Sequence, residues 1–212
     1  MRINTFKAFL VVLIFGALSC DKNNEDGITA LINEASYSLD IDELSGLTAL
    51  NSDILYTVSD NTNKIYKISS TGKVLGSFSY TGEDLEGVAV NKADQTIYIV
   101  EERKREIVQF DNLGNYLRTI QVSVENNDVN SGLEGICINP VNNHIFVLNE
   151  KSPGKLIELN SDGNMLNAIN LNFALDYSGL CINPNGQELW IISDESKKIF
   201  KCDTSGNLLQ QY

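Results

Sequence analysis

Basic residues, histidine and proline are all scarce in this chain. Sixteen Lys and Arg stand against 28 Asp and Glu, a formal charge of -12, so no basic stripe is available to neutralise phosphates and nucleic acid is excluded as a partner. An anionic bilayer face repels the same surface. The single histidine, His144, sits in the polar turn Asn142-Asn143-His144 and reads as a surface loop residue. No serine lies in a Gly-x-Ser-x-Gly elbow, so nucleophilic triad chemistry has no visible parts. Three prolines and fifteen glycines in 212 residues exclude collagen-like and proline-rich classes. No glycine pattern fits a P-loop or a dinucleotide fingerprint. Four cysteines with no Cys-x-x-Cys pair and no Cys/His cluster offer no zinc site. After residue 27 no 3.6-residue apolar period is sustained, so helices have no signal.

What is present is a chain 42% hydrophobic and 21% charged, too apolar for general disorder and able to bury a sizeable core. Its first segment has a different character. Arg2 and Lys7 precede the apolar run Ala8 to Leu18, which is short for a bilayer span. The run ends at Ala17-Leu18-Ser19-Cys20, which resembles a bacterial lipoprotein signal. Residues 1–19 are then a signal peptide, Cys20 carries the lipid, and residues 20–35 form a polar tether. Removing residues 1–19 deletes two positive charges and no negative ones, so attachment to the membrane rests on acyl chains, at about 0.8 kcal/mol per buried methylene. The expected location is the cell envelope, lipid-anchored at the outer membrane, either periplasmic or surface-exposed. The remaining Cys137, Cys181 and Cys202 lie in apolar stretches and read as buried small hydrophobes.

A repeat of some 45 residues organises the rest. Its opening glycines, Gly46, Gly87, Gly135 and Gly179, are 41, 48 and 44 residues apart. An aromatic follows in each copy (Tyr56, Tyr98, Phe146, Trp190), then an acid four residues later (Asp60, Glu102, Glu150, Asp194). A turn glycine comes next (Gly72, Gly114, Gly163, Gly206), with leucine three positions beyond it. Runs such as Thr96-Ile97-Tyr98-Ile99-Val100, bounded by Asn, Asp and Gly, are strands, and the glycines mark hairpin turns. Four strands per copy define an all-β fold, a β-propeller of four-stranded antiparallel blades. The expected domain covers 36–212, with blades near 43–82, 83–130, 131–175 and 176–212. Four blades are present. They are expected as an incomplete five- or six-bladed ring, or alternatively as a four-bladed ring clasped by residues 36–41 against 207–212.

The order Ser45-Gly46-Leu47, Asp84-Leu85-Glu86-Gly87, Gly132-Leu133-Glu134-Gly135-Ile136, Asn149-Glu150-Lys151-Ser152-Pro153 and Ser178-Gly179-Leu180 resembles the SdiA-regulated (YjiK-type) propeller family from about Tyr37 onward. The resemblance implies a membrane-associated or secreted propeller and no particular chemistry.

Blade geometry points to where chemistry could sit. The start of a first strand and the end of a second lie at one channel mouth, which gathers Glu86, Glu134, Glu102, Glu150, Asp60 and Asp194 with the hydroxyls of Ser45 and Ser178. Three readings stay open: acids bonded to backbone N–H groups of the turns, a calcium site, and acid–base catalysis. The first expectation is a lipid-anchored binding or interaction module, without catalytic residues, that takes an envelope protein, peptide or small molecule at an acidic mouth. The alternative is a calcium-dependent propeller hydrolase, esterase- or phytase-like.

Overall fold

The computed structural model describes residues 9–11, 32–124 and 131–212. Cys20 and the expected tether up to residue 31 lie outside the described residues, as does most of the expected signal peptide. Phe9–Val11 (β1) pairs antiparallel with Ser36–Ser38 (β2). Four sheets follow, each a four-stranded antiparallel meander. Blade 1 contains β3 (Leu44–Ala49), β4 (Ile54–Ser59), β5 (Lys64–Ser69) and β6 (Val74–Ser79). Blade 2 contains β7 (Leu85–Val90), β8 (Ile97–Glu101), β9 (Glu106–Phe110) and β10 (Tyr116–Gln121). Blade 3 contains β11 (Leu133–Ile138), β12 (Ile145–Asn149), β13 (Lys155–Leu159) and β14 (Met165–Asn170). Blade 4 contains β15 (Gly179–Ile182), β16 (Glu188–Ser193), β17 (Lys198–Asp203) and β18 (Leu208–Gln211). This is the four-bladed β-propeller that the repeat predicts.

The blades pack through successive apolar layers. A trailing face meets the leading face of the next blade: Tyr56, Val58 and Ile65 of blade 1 lie against Ile97, Ile99, Val108 and Phe110 of blade 2. Tyr98, Val100 and Ile107 meet Ile145, Val147 and Ile157 in the same way, and Phe146, Leu148 and Leu156 meet Leu189, Ile191 and Phe200. Strand alternation makes this possible, because each second strand is apolar on both faces. Outer strands see solvent on one side, and β6 and β14 are largely exposed.

At the axis the first strands approach backbone to backbone. A Cβ on Gly46 would meet Glu86 O and Val88 N, one on Gly87 would meet Glu134 O, and one on Gly135 would meet Leu180 N and the Gly179 backbone. The repeat's opening glycine is therefore a requirement of blade-to-blade distance. The register of β3, β7 and β11 also shifts there, between Leu44 and Leu47, Leu85 and Val88, and Leu133 and Ile136. These are bulges, which turn a side chain away from the regular pleat.

Residues 36–41 do not clasp the C-terminal strand. Among the described residues β18 pairs with β17, whereas Leu39 and Ile41 pack on Leu55 and Ile68 of blade 1. The leading face of blade 1 is apolar, and the chain that enters it supplies the nearest cover. Cys181 also departs from expectation: Cys137 and Cys202 are buried and Cys181 is exposed, all three being free thiols.

The glycine constraint is measurable. Gly87→Val and Gly135→Val should each lower stability by about 1–3 kcal/mol in denaturant melts, as overpacked sites do. Gly76→Val, where nothing lies within 4 Å of the new Cβ, should be close to neutral. Equal melts for all three would contradict the packing.

Candidate functional site

The bulges and the antiparallel pairing bring four of the acids together. Glu86 and Glu134 ride on the bulges of β7 and β11, while Glu102 and Glu150 follow the last residues of β8 and β12. Leu85 pairs with Glu101 and Leu133 with Asn149, so strand starts and strand ends meet at one mouth. Backbone bonds close the corner, with Glu102 N–H donating to Asp84 O at 3.0 Å and Glu150 N–H to Gly132 O at 2.9 Å. Carboxylate oxygens of Asp84, Glu86 and Glu102 lie within 4.8 Å of one another, and so do those of Glu102, Glu134 and Glu150. Glu102 belongs to both groups, at the junction of blades 2 and 3.

Crowding shows in the proton affinities. Burial, followed by the charges of Glu86, Glu102, Glu150 and Asp176, pushes Glu134 up to about 10. Burial also raises Glu102 to about 7; the Gly132 N–H at 2.9 Å opposes that rise, and a hydrogen bond with the Asp84 carboxyl adds to it. Glu86 is raised by burial and by Asp84, Asp60 and Glu150, against the Ser45 hydroxyl, which donates a short hydrogen bond to it. Desolvation and like charge act in the same direction here.

The remaining candidates are placed differently. Asp60 acts on Glu86 through its charge and is in neither carboxylate group. The Asp194 side chain is 78% exposed and pairs with Lys197 at 2.7 Å. The Ser178 hydroxyl donates to Ile192 O at 3.2 Å. His144 precedes β12 at the end remote from Glu150, and its Nδ1 lies 2.7 Å from Glu158.

Two acids that the repeat landmarks left aside take part. Asp84 is buried, has φ 60° and pairs with Arg103 Nε at 2.7 Å. Asp176 is buried and accepts the Ser193 hydroxyl together with the N–H groups of Asp194 and Glu195 at 3.1 and 3.0 Å. Each stands two residues before the landmark Glu86 or Ser178, a spacing that the sequence displays. Lys151 supplies a cation at the rim and bridges Glu150 at 2.9 Å and Glu195 at 2.8 Å, from blade 3 to blade 4. At the other ends of the first strands, Val90, Ile138 and Ile182 with Pro140, Pro184 and Lys92 line a cleft of about 170 Å³. The two ends of the channel are therefore chemically opposite.

Fold and mouth together define a β-propeller with a carboxylate-lined channel entrance. The SdiA-regulated family matches residues 28–212, and the chain belongs to that family. No curated protein matches it. Among solved structures it is similar to virginiamycin B lyase from Staphylococcus aureus, at 14% identity and TM-score 0.59 over 84% of this chain and 58% of that one. It is also similar to a chain of the nidogen/laminin complex, at 15% identity and TM-score 0.63 over 80% and 65%. A third is a protein of unknown function from Bacteroides caccae, at 16% identity and TM-score 0.53 over 76% and 58%. At these identities the likeness is one of fold. The chain spans 58 to 65% of the length of these three structures.

Both resolved values lie above the ordinary carboxylate range, so the folded chain binds protons more tightly than the unfolded one. The resulting stabilisation is complete below the unfolded value and is lost as pH rises through about 7 for Glu102 and towards about 10 for Glu134. In chelator, the melting temperature should fall from about pH 5 to about pH 9. Glu102→Gln and Glu134→Gln should flatten that fall. A profile that rises over the same window would contradict the electrostatics.

Proposed function

We propose that this chain is a cell-envelope binding module, held to the membrane by lipid on Cys20, whose acidic mouth between blades 2 and 3 is the ligand-contacting surface. The observation that carries the reading is the convergence of Asp84, Glu86, Glu102, Glu134 and Glu150 into two overlapping groups of carboxylates within 4.8 Å. A hard divalent cation is the ligand chemistry best suited to them, because calcium accepts six to eight oxygens in flexible geometry. Such an ion offsets the burial and the like charges that raise the proton affinities of Glu102 and Glu134. The partner then docks on a rigid rim of turns, an envelope protein, peptide or small molecule.

A second reading is favoured by one observation. Glu102 titrates at about 7, the value suited to a general acid–base group at neutral pH. That supports a calcium-dependent hydrolase using the same mouth.

Calcium titration tests both. At about 100 times its dissociation constant a folded-state ligand adds about 2.7 kcal/mol, a rise of roughly 5–10 °C in melting temperature for a domain of this size. Glu86→Ala with Glu134→Ala should erase the response. No response in the native chain leaves binding without a cation and removes the hydrolase reading. For the anchor, metabolic labelling with a radiolabelled fatty acid should mark the native chain and leave Cys20→Ser unlabelled. Labelling that persists in Cys20→Ser would rule out lipidation at Cys20.

A further inference from the structure

At the channel end away from the acids, each first strand runs out in the same pair, an apolar residue and then asparagine: Leu50-Asn51, Val90-Asn91, Ile138-Asn139 and Ile182-Asn183. The asparagine closes the turn that follows. Asn51 Oδ1 accepts the N–H groups of Asp53 and Ile54, Asn91 Oδ1 that of Ala93, Asn139 Oδ1 that of Val141, and Asn183 Oδ1 those of Gln187 and Glu188, all at 2.9–3.2 Å. Two of them also tie neighbouring blades together. Asn91 Nδ2 donates to Asn143 Oδ1 at 3.4 Å, and Asn139 Nδ2 to Gly186 O at 3.1 Å. The cleft of about 170 Å³ between blades 2, 3 and 4 is therefore held open by its own turns.

The residue after the asparagine breaks the repeat. It is Ser52 in blade 1, Pro140 and Pro184 in blades 3 and 4, and Lys92 in blade 2. One ammonium group thus joins a wall otherwise made chiefly of Val90, Ile138, Ile182 and the two prolines. The nearest acid in sequence does not neutralise it: Asp94 is engaged in its own turn, accepting the Thr96 N–H at 2.9 Å and the Thr96 hydroxyl at 2.7 Å. Among the described residues Lys92 forms no ion pair. Although Cys181 on β15 keeps solvent access, desolvation raises the proton affinity of its thiol, and the charge of Lys92 opposes that rise. The charge is thus felt across the cleft, on blade 4.

We propose that this cleft binds a small organic acid, with its carboxylate on Lys92 and an apolar body about the size of one ring against Val90, Ile138, Ile182, Pro140 and Pro184. Apolar walls with one polar group that fixes orientation are the usual make-up of a small-molecule site. Volume sets the size of the ligand: an apolar cavity of about 150 Å³ takes one benzene, and this cleft is slightly larger. Charge sets its sign. An anion is repelled from the carboxylate mouth at the far end of the pore, so the two ends select ligands of opposite charge. The site is separate from that mouth and stands whether or not the mouth holds a cation.

Benzoate is the probe. In the full chain, labelled at its methyl groups and kept in chelator, it should move the signals of Val90, Ile138 and Ile182 saturably and leave Val58, buried between blades 1 and 2, unmoved. Acetate, which has the charge without the ring, and benzyl alcohol, which has the ring without the charge, should each bind about tenfold more weakly or worse. Burial of a ring and a hydrogen bond to a charged group each exceed the roughly 1.4 kcal/mol that a tenfold change represents. Lys92→Gln should bring benzoate down to the level of benzyl alcohol with unchanged far-ultraviolet circular dichroism. Ala93→Trp, in the exposed turn beside the cleft, should block the probe. Undiminished binding in either variant, or shifts at the cleft no larger than at Val58, overturns the proposal. So does a leucine-ended tripeptide that binds more tightly than benzoate, which would make the occupant a peptide terminus.

Discussion

Everything in this molecule is arranged around the close approach of main chain to main chain at the channel axis. Three successive first strands run past one another with room for a hydrogen and no more at Gly46, Gly87 and Gly135. That spacing lets flat sheets fan out as blades, and it fixes where each bulge falls. The bulge in turn decides that the residue before the glycine leaves the regular pleat. Serine there gives a short hydrogen bond across the axis to the next blade's glutamate, as Ser45 does to Glu86. Glutamate there, without a hydroxyl opposite, gives a buried acid among acids, as at Glu134.

The mouth is consequently uneven. Blades 2 and 3 contribute glutamate from both the first-strand bulge and the end of the second strand, and blades 1 and 4 contribute serine and aspartate. The negative potential concentrates at one junction, with Lys151 and Arg103 held at its edges by ion pairs. Water screens such pairs at a surface, whereas the carboxylates between them are removed from water and respond to each other strongly. The site is thus a local property of two neighbouring repeats within a fold that treats all four alike.

Much of this was legible in the residues. Three landmarks per copy carried the fold, because glycine, aromatic and acid each answer to a separate demand of a blade: axis spacing, interblade packing and strand termination. The convergence of Glu86, Glu102, Glu134 and Glu150 followed from strand direction. Asp84 and Asp176 did not stand out, since an acid in a left-handed or turn position looks like ordinary loop chemistry until the fold buries it. Asp194 and Cys181 went the other way. Both obey the repeat, but their surroundings depend on what lies beyond the trailing face of blade 4, and no local pattern encodes that. The 36–41 segment misled for a related reason: an alternating apolar strand pattern fits a sheet edge and a cap on a sheet face equally well.

One feature of the outer strands bears on the whole body. Leu75, Leu117, Leu166 and Leu209 are each about half exposed, and with Tyr116, Val141 and the fully outward Leu113 they sit at the end of the blades where the apolar cleft opens. Asp94, Asp111, Asp162 and Asp203 stand in turns at this same end, so the leucines are apolar islands among solvated turns, while Glu86, Glu102, Glu134 and Glu150 crowd together at the opposite mouth. Charge is thus dispersed at one end of the pore and concentrated at the other, and only the concentrated end responds steeply to added counter-ions.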